Sequence, residues 1–250
     1  MPISFLRRLT GKVRTVDANR QLGLSLAFVA GAANAGGFLA VNQYTSHMTG
    51  IVSAMTDDLA LGNVALALAG LGALLSFIAG AASSALLINW ARHHQLHSEY
   101  ALALLLEATL LLCFGLLGGN LALHMGLFVP LTVMLLCFIM GLQNAIITKL
   151  SKAEMRTTHV TGIVTDIGIE LGKWLYWNPS KDSPDQLLVF ANRQKLRLLA
   201  LLLLMFFSGG FVGAVGFKHI GFLSTIPLAM ILLLLAVVPV VDDLLERWHI

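Results

Sequence analysis

Residues 46–52 read SHMTGIV and residues 158–164 read THVTGIV. A His-x-Thr-Gly signature thus occurs twice, about half a chain apart, in a protein otherwise rich in Leu and Ala. Each copy follows an Asn-Ala pair: GAANA at 31–35 precedes the first, GLQNA at 141–145 the second. Asn34 and Asn144 are 110 residues apart, His47 and His159 are 112 apart. Two landmarks at nearly one offset predict an internal repeat.

Composition says where such a repeat lives. The chain of 250 residues is 57% hydrophobic and 12% charged, with a mean hydropathy of +0.82. A soluble domain has about a quarter charged residues, so this chain lacks the polar surface to face water. Its apolar runs approach the ~20 residues that a helix needs to cross a bilayer, and none alternates as a barrel strand would. Lipid offers the backbone no partners, so the spans must be helical. Six are expected: about 21–41, 64–90, 100–118, 124–148, 197–217 and 221–241. Basic residues start the chain, but Asn34 and the dense Gly and Ala of the first run favour a retained span over a cleaved signal.

The signature segments, about 46–62 and 158–172, are too short and too polar for ordinary crossings and suit re-entrant or interfacial half-helices. Charge supports this. If neither segment crosses, 15 of the 16 Lys and Arg residues share the cytoplasmic side and only Lys218 lies outside. If both cross, Arg92, Lys149, Lys152 and Arg156 move outside and the bias weakens to 11 against 5.

The expected fold is therefore an all-α integral membrane protein with six transmembrane helices. They form a 3+3 inverted repeat with a short re-entrant or interfacial half-helix in each copy. It is one membrane domain, with repeat one at about 21–118 and repeat two at about 124–241. Three spans per copy is an odd number, so the second copy enters from the opposite face, as in secondary transporters with midplane sites. Residues 1–20 form a cytoplasmic N-terminal segment and 173–196 a cytoplasmic insertion, with Trp174, Tyr176 and Trp177 as an interfacial anchor. Both termini are expected in the cytoplasm of a bacterium, the chain crossing its inner membrane.

The signature pattern suggests a site. Gly50 and Gly162 allow a turn and close approach. Ser46 or Thr158, and Thr49 or Thr161, are candidate caps for the helix that follows. A half-helix N-terminus attracts anions, and His47 and His159 beside it are hydrogen-bonding groups that can take up a proton. The alternative is a structural cap and turn with the His at headgroup level. Asn34 and Asn144 need polar partners inside apolar spans, either as glue between helices or as lining for the site. Gln143 points about 100° away from Asn144 and belongs to another interface.

Glu107, in LALLLEATLLL, is costly in a span and marks function by default: it carries a coupled proton or binds substrate, or it is neutral and hydrogen-bonded to a facing Ser or Asn, or its span is offset so that it nears the interface. Asp166 and Glu170 are four apart and share one helix face, turned to a cavity or to water. Asp57 and Asp58 are adjacent and diverge, which favours a solvated helix end. His93 and His97 in RHHQLH have a metal-compatible spacing, but no matching Cys or acid accompanies them, so no metal is assigned. Cys113 and Cys137 fit buried apolar positions. No Walker loop, nucleophile elbow or His-Glu-x-x-His occurs, so neither catalytic residues nor a cofactor are assigned. A net charge of +3, dispersed along the chain, gives no support for nucleic-acid binding.

The chain resembles the YoaK family of bacterial membrane proteins, a family of unknown function. SHMTGIV after a Gly/Asn-rich first span carries the resemblance, with GLQNA followed by RTTHVTGIVTDIGIELG. It covers nearly the whole chain. The first signature helix departs from the family pattern in MTDDLALG, where a more apolar run is expected. The family implies no established activity.

Together these features predict a small secondary transporter of a small polar or anionic solute, working by alternating access. Its site would be lined by Asn34, Ser46, His47, Thr49, Gly50, Asn144, Thr158, His159, Thr161 and Gly162. Glu107, Asp166, Glu170 or a signature His would carry a coupled proton. The rivals are a channel on the same scaffold, a membrane scaffold, or an intramembrane enzyme. AGLGALLSFIAGAASSALL is a candidate homodimer face, equally able to pack within one chain.

Overall fold

A computed structural model describes residues 15–96, 98–119, 125–151, 157–176 and 189–248. Among them there is no β-strand. The first helix, α1 (Val16–Val41), starts where Thr15 Oγ1 accepts from the Ala18 amide at 3.2 Å. It stops where Asn42 turns left-handed, at φ 53°, and returns its N–H to Phe38 O. The short α2 (Met48–Ala60) leads through Gly62, at φ 79°, into α3 (Val64–His93). At 1.5 Å per residue, the 30 residues of α3 extend about 45 Å. Then come α4 (Ala101–Gly119), α5 (Met125–Leu150), α6 (Val160–Leu175) and α7 (Arg193–Ile220). A 3-10 turn, Gly221–Ser224, opens on Gly221 at φ 63° and reverses the chain into α8 (Thr225–Trp248).

Five helical stretches are long and apolar enough to cross a membrane: Val16–Val41, Val64–His93, Ala101–Gly119, Phe128–Leu150 and Arg193–Leu245. The last, of 53 residues, is the run that the 3-10 turn divides into α7 and α8. So many apolar helices in one chain make it a multi-pass membrane protein. The expected spans 21–41, 64–90 and 197–217 each lie within one helix, 100–118 and 124–148 begin one residue before theirs, and the sixth, 221–241, takes in the 3-10 turn before α8. Within the expected insertion at 173–196, Lys173–Leu175 continue α6 and Arg193–Leu196 open α7. Residues 1–14, His97 and Trp177 lie outside the described residues.

Helices pack in three main pairs: α1 along α7, α3 along α5, and α4 along α8. The first two meet through a motif that composition alone hides. Phe-x-x-Gly occurs as FVAG at 28–31, FIAG at 77–80, FIMG at 138–141 and FFSG at 206–209. A methyl group on Gly31 would overlap the carbonyl of Phe206, and one on Gly209 the carbonyl of Phe28. Gly141 meets Phe77 and Gly80 meets Phe138 in the same reciprocal way. Small residues let membrane helices approach to backbone contact, and here each glycine receives the opposite helix's peptide.

The third pair is tied at both ends. Gly115 and Gly118 leave room for Thr225 and Phe222, while Ser98 N–H donates to Asp243 Oδ2 at 2.9 Å. Those contacts make α4 and α8 antiparallel. So are α1 and α5: Gln143 Nε2 donates to Leu26 O at 3.2 Å, whereas Leu136 lies beside Gly37, farther along α1. Gln143 thus serves the interface between these two helices.

Candidate functional site

Both signature segments turn back toward the helix that precedes them. After α1 ends at Val41, Ser46 Oγ donates to Asn34 Oδ1 at 2.9 Å. Asn34 lies seven residues before that end, so the chain has retreated about 10 Å along the helix. It then starts α2, which runs antiparallel beside the first half of α3. Ile51 packs with Ala73 and Cys137, with Phe77 and Met48 around them, and Met55 covers Gly70. In the second copy Thr158 Oγ1 donates to Asn144 Oδ1 at 2.7 Å. Asn144 lies six residues before the end of α5, and α6 packs on α7.

The expected caps are different ones. Ser46 and Thr158 hold the asparagines, and the histidines are the N-cap residues of α2 and α6. His159 Nδ1 accepts from the Gly162 amide at 3.1 Å, which requires a lone pair on that nitrogen. The His47 ring lies over Gly50 in the same way, without the cap hydrogen bond. A side chain at either glycine would strike the ring. Thr49 and Thr161 are exposed.

The two polar clusters are separate. Because α1 and α5 are antiparallel, Asn144 lies near the level of Leu26, about 12 Å from Asn34 along the axis. Each cluster contains one Asn, one Ser or Thr and one His. Among the described residues no hydrogen bond joins the two clusters. A cavity of about 740 Å³ opens beside the first. It lies between α2, α3 and the start of α5, with His47 and Gly50 toward one end and Asp58 and Leu66 toward the other. Ser46, Thr49, Asn34, Asn144, Thr158, His159, Thr161 and Gly162 are not in its wall.

The acids part company. Glu107 is fully buried on α4, and neither carboxyl oxygen has a hydrogen-bond partner among the described residues. Glu170 is also buried, but Lys173 Nζ donates to it at 2.8 Å and the Asn192 amide at 2.7 Å. Its hydrogen bond from Lys173, then that amide, hold its carboxyl below the usual range. Asp166 pairs with Lys195 at 3.2 Å. Asp166 and Glu170 therefore fasten α6 to the start of α7. Asp57 is exposed, while Asp58 is half-buried and lines the cavity, a role that its neighbouring acid obscured in the sequence. Among the described residues no three His, Cys, Asp or Glu side chains gather to hold a metal ion.

A family model described as "Protein of unknown function (DUF1275)" matches residues 22–238. The chain belongs to that family, whose function is unknown. No curated protein and no solved structure matches it.

Proposed function

We propose that this chain, a YoaK-type protein of a bacterial inner membrane with both termini cytoplasmic, is a small secondary transporter of a polar solute. Its six spans form two inverted copies, each with a re-entrant half-helix, and it works by alternating access. One observation carries the reading. The same Asn-to-Ser/Thr bond holds the start of each signature helix, toward opposite ends of the antiparallel pair α1 and α5. Broken helices that begin inside the bilayer on both sides of its centre are what such transporters use to reach a solute from either face. The reciprocal Phe-Gly crossings support two rocking bodies, α1 with α6 and α7 against α5 with α2 and α3. Glu107, buried between apolar helices and without a partner among the described residues, carries the coupled proton.

The test uses purified protein in vesicles loaded with a pH-sensitive dye and challenged with a panel of small polar solutes. Under an imposed proton gradient one solute class should accumulate uphill, with matching proton movement. Glu107→Gln should abolish accumulation while leaving the protein folded. Normal uphill transport by Glu107→Gln would remove the coupling assignment. Flux that never runs uphill would make the protein a channel, and no flux at all would favour a scaffold.

A further inference from the structure

We propose that the cavity beside α2 is a binding site for an organic cation with an apolar body. This names a substrate class for the transport reading, and rests on that reading only in calling the occupant cargo.

The two copies of the signature motif differ at this place. Aligned through their Phe-x-x-Gly motifs, Ala69, Gly70, Gly72 and Ala73 of α3 stand where α7 has Leu198, Leu199, Leu201 and Leu202. Four small side chains leave room that four leucines would fill, and the cavity lies on the side with the small ones. Its volume is within the roughly 300–1,000 Å³ of ordinary ligand pockets. The wall is mostly aliphatic, which suits an apolar body.

Charge selects the sign. Aligned through the signatures, Asp58 stands where the second copy has Glu170, and Leu61 where it has Lys173. Glu170 is neutralised by Lys173 within the chain. Asp58 has no such cation: it makes no ion pair among the described residues, and its hydrogen bond from Asn63 is long at 3.5 Å. No Lys or Arg lines the cavity. An apolar chamber with an uncompensated carboxylate in its wall repels anions and attracts cations. Tyr44, stacked on Phe38 with centroids 4.5 Å apart, adds an aromatic ring of the kind that organic cations favour.

Two ions of the same shape and opposite charge test this. The purified protein in zwitterionic-lipid nanodiscs is dialysed to equilibrium against tetraphenylphosphonium or tetraphenylborate, with empty discs as the blank. Saturable binding of the phosphonium, and none of the borate, is expected. Asp58→Asn should weaken the phosphonium by at least about fivefold. Gly72→Leu and Ala69→Leu should each abolish the saturable component. A Cβ at Gly72 meets only Met134, at 3.5 Å and beyond, and Ala69 is exposed, so both variants have room to fold. Equal binding of the two ions, or wild-type binding by both leucine variants when they elute as wild type, would overturn the proposal. Saturable phosphonium binding in a protein that moves no solute in vesicles would leave the site standing and remove the transport reading.

Discussion

Gly50 and Gly162 are each the third residue of a helix, overhung by the histidine that caps it. In Gly162→Ala the new methyl group displaces the His159 ring. Losing the cap costs about 1 kcal/mol, while Ala in place of Gly returns about 1 kcal/mol of helix propensity. Thermal unfolding should therefore change little, yet the imidazole NMR signals of His159 should move. Ser46→Ala and Thr158→Ala behave differently. Each leaves an asparagine carbonyl without its donor and should destabilise by about 1–2 kcal/mol, with Thr158→Ser nearly neutral. Acid exposes a further residue. The carboxyl of Glu170 is held below its usual range in the folded chain, so its contribution is complete above the ordinary carboxylate pKa. It is lost as the pH falls through the lowered value. Unfolding followed from neutral pH downward should show this loss in the wild type, and a flatter profile in Glu170→Gln.

At the scale of the helix, the glycines divide by what surrounds them. Gly31 and Gly141 face backbone that cannot move aside, so Gly31→Ala or Gly141→Ala should force α1 from α7, or α5 from α3. Recovery of monodisperse protein should fall sharply. Gly168 has nothing within 4 Å of a Cβ, and Gly168→Ala on α6 should leave that recovery unchanged or gain up to about 1 kcal/mol. Sequence alone revealed the apolar helices, because a bilayer sets their length, and the places where the short helices α2 and α6 begin, because one motif stands at both starts. It did not distinguish these glycines, since a Gly in a membrane helix looks the same whether it meets a carbonyl or lipid. Asp58 was hidden for a related reason. It lines the cavity with small residues some dozen positions further on, and the lysine that pairs with its counterpart Glu170 follows only the second signature. The identity of the caps was missed because Ser and Thr usually cap helices. Here the nearby asparagines recruit them first.

For the molecule as a whole, the arrangement of charge makes a test of orientation. In a background with Cys113 and Cys137 replaced by Ser, Lys218→Cys should react with a membrane-impermeant maleimide on intact cells. Arg92→Cys should react only after permeabilisation. Both positions are exposed, so a lack of reaction would not come from burial. Labelling of both from one side would remove the proposed six-span topology. The tight pairs also join the two halves, since α1 belongs with α7 and α3 with α5.

That exchange of partners has a consequence for biosynthesis. When the ribosome has delivered the first 119 residues, the Phe-Gly notches of α1 and α3 are both open, and that of α1 stays open until α7 is complete at residue 220. Neither half is a self-sufficient unit. Expressed separately, fragments cut between Gly119 and Met125 should be degraded, whereas produced together in one cell they should protect each other and co-purify.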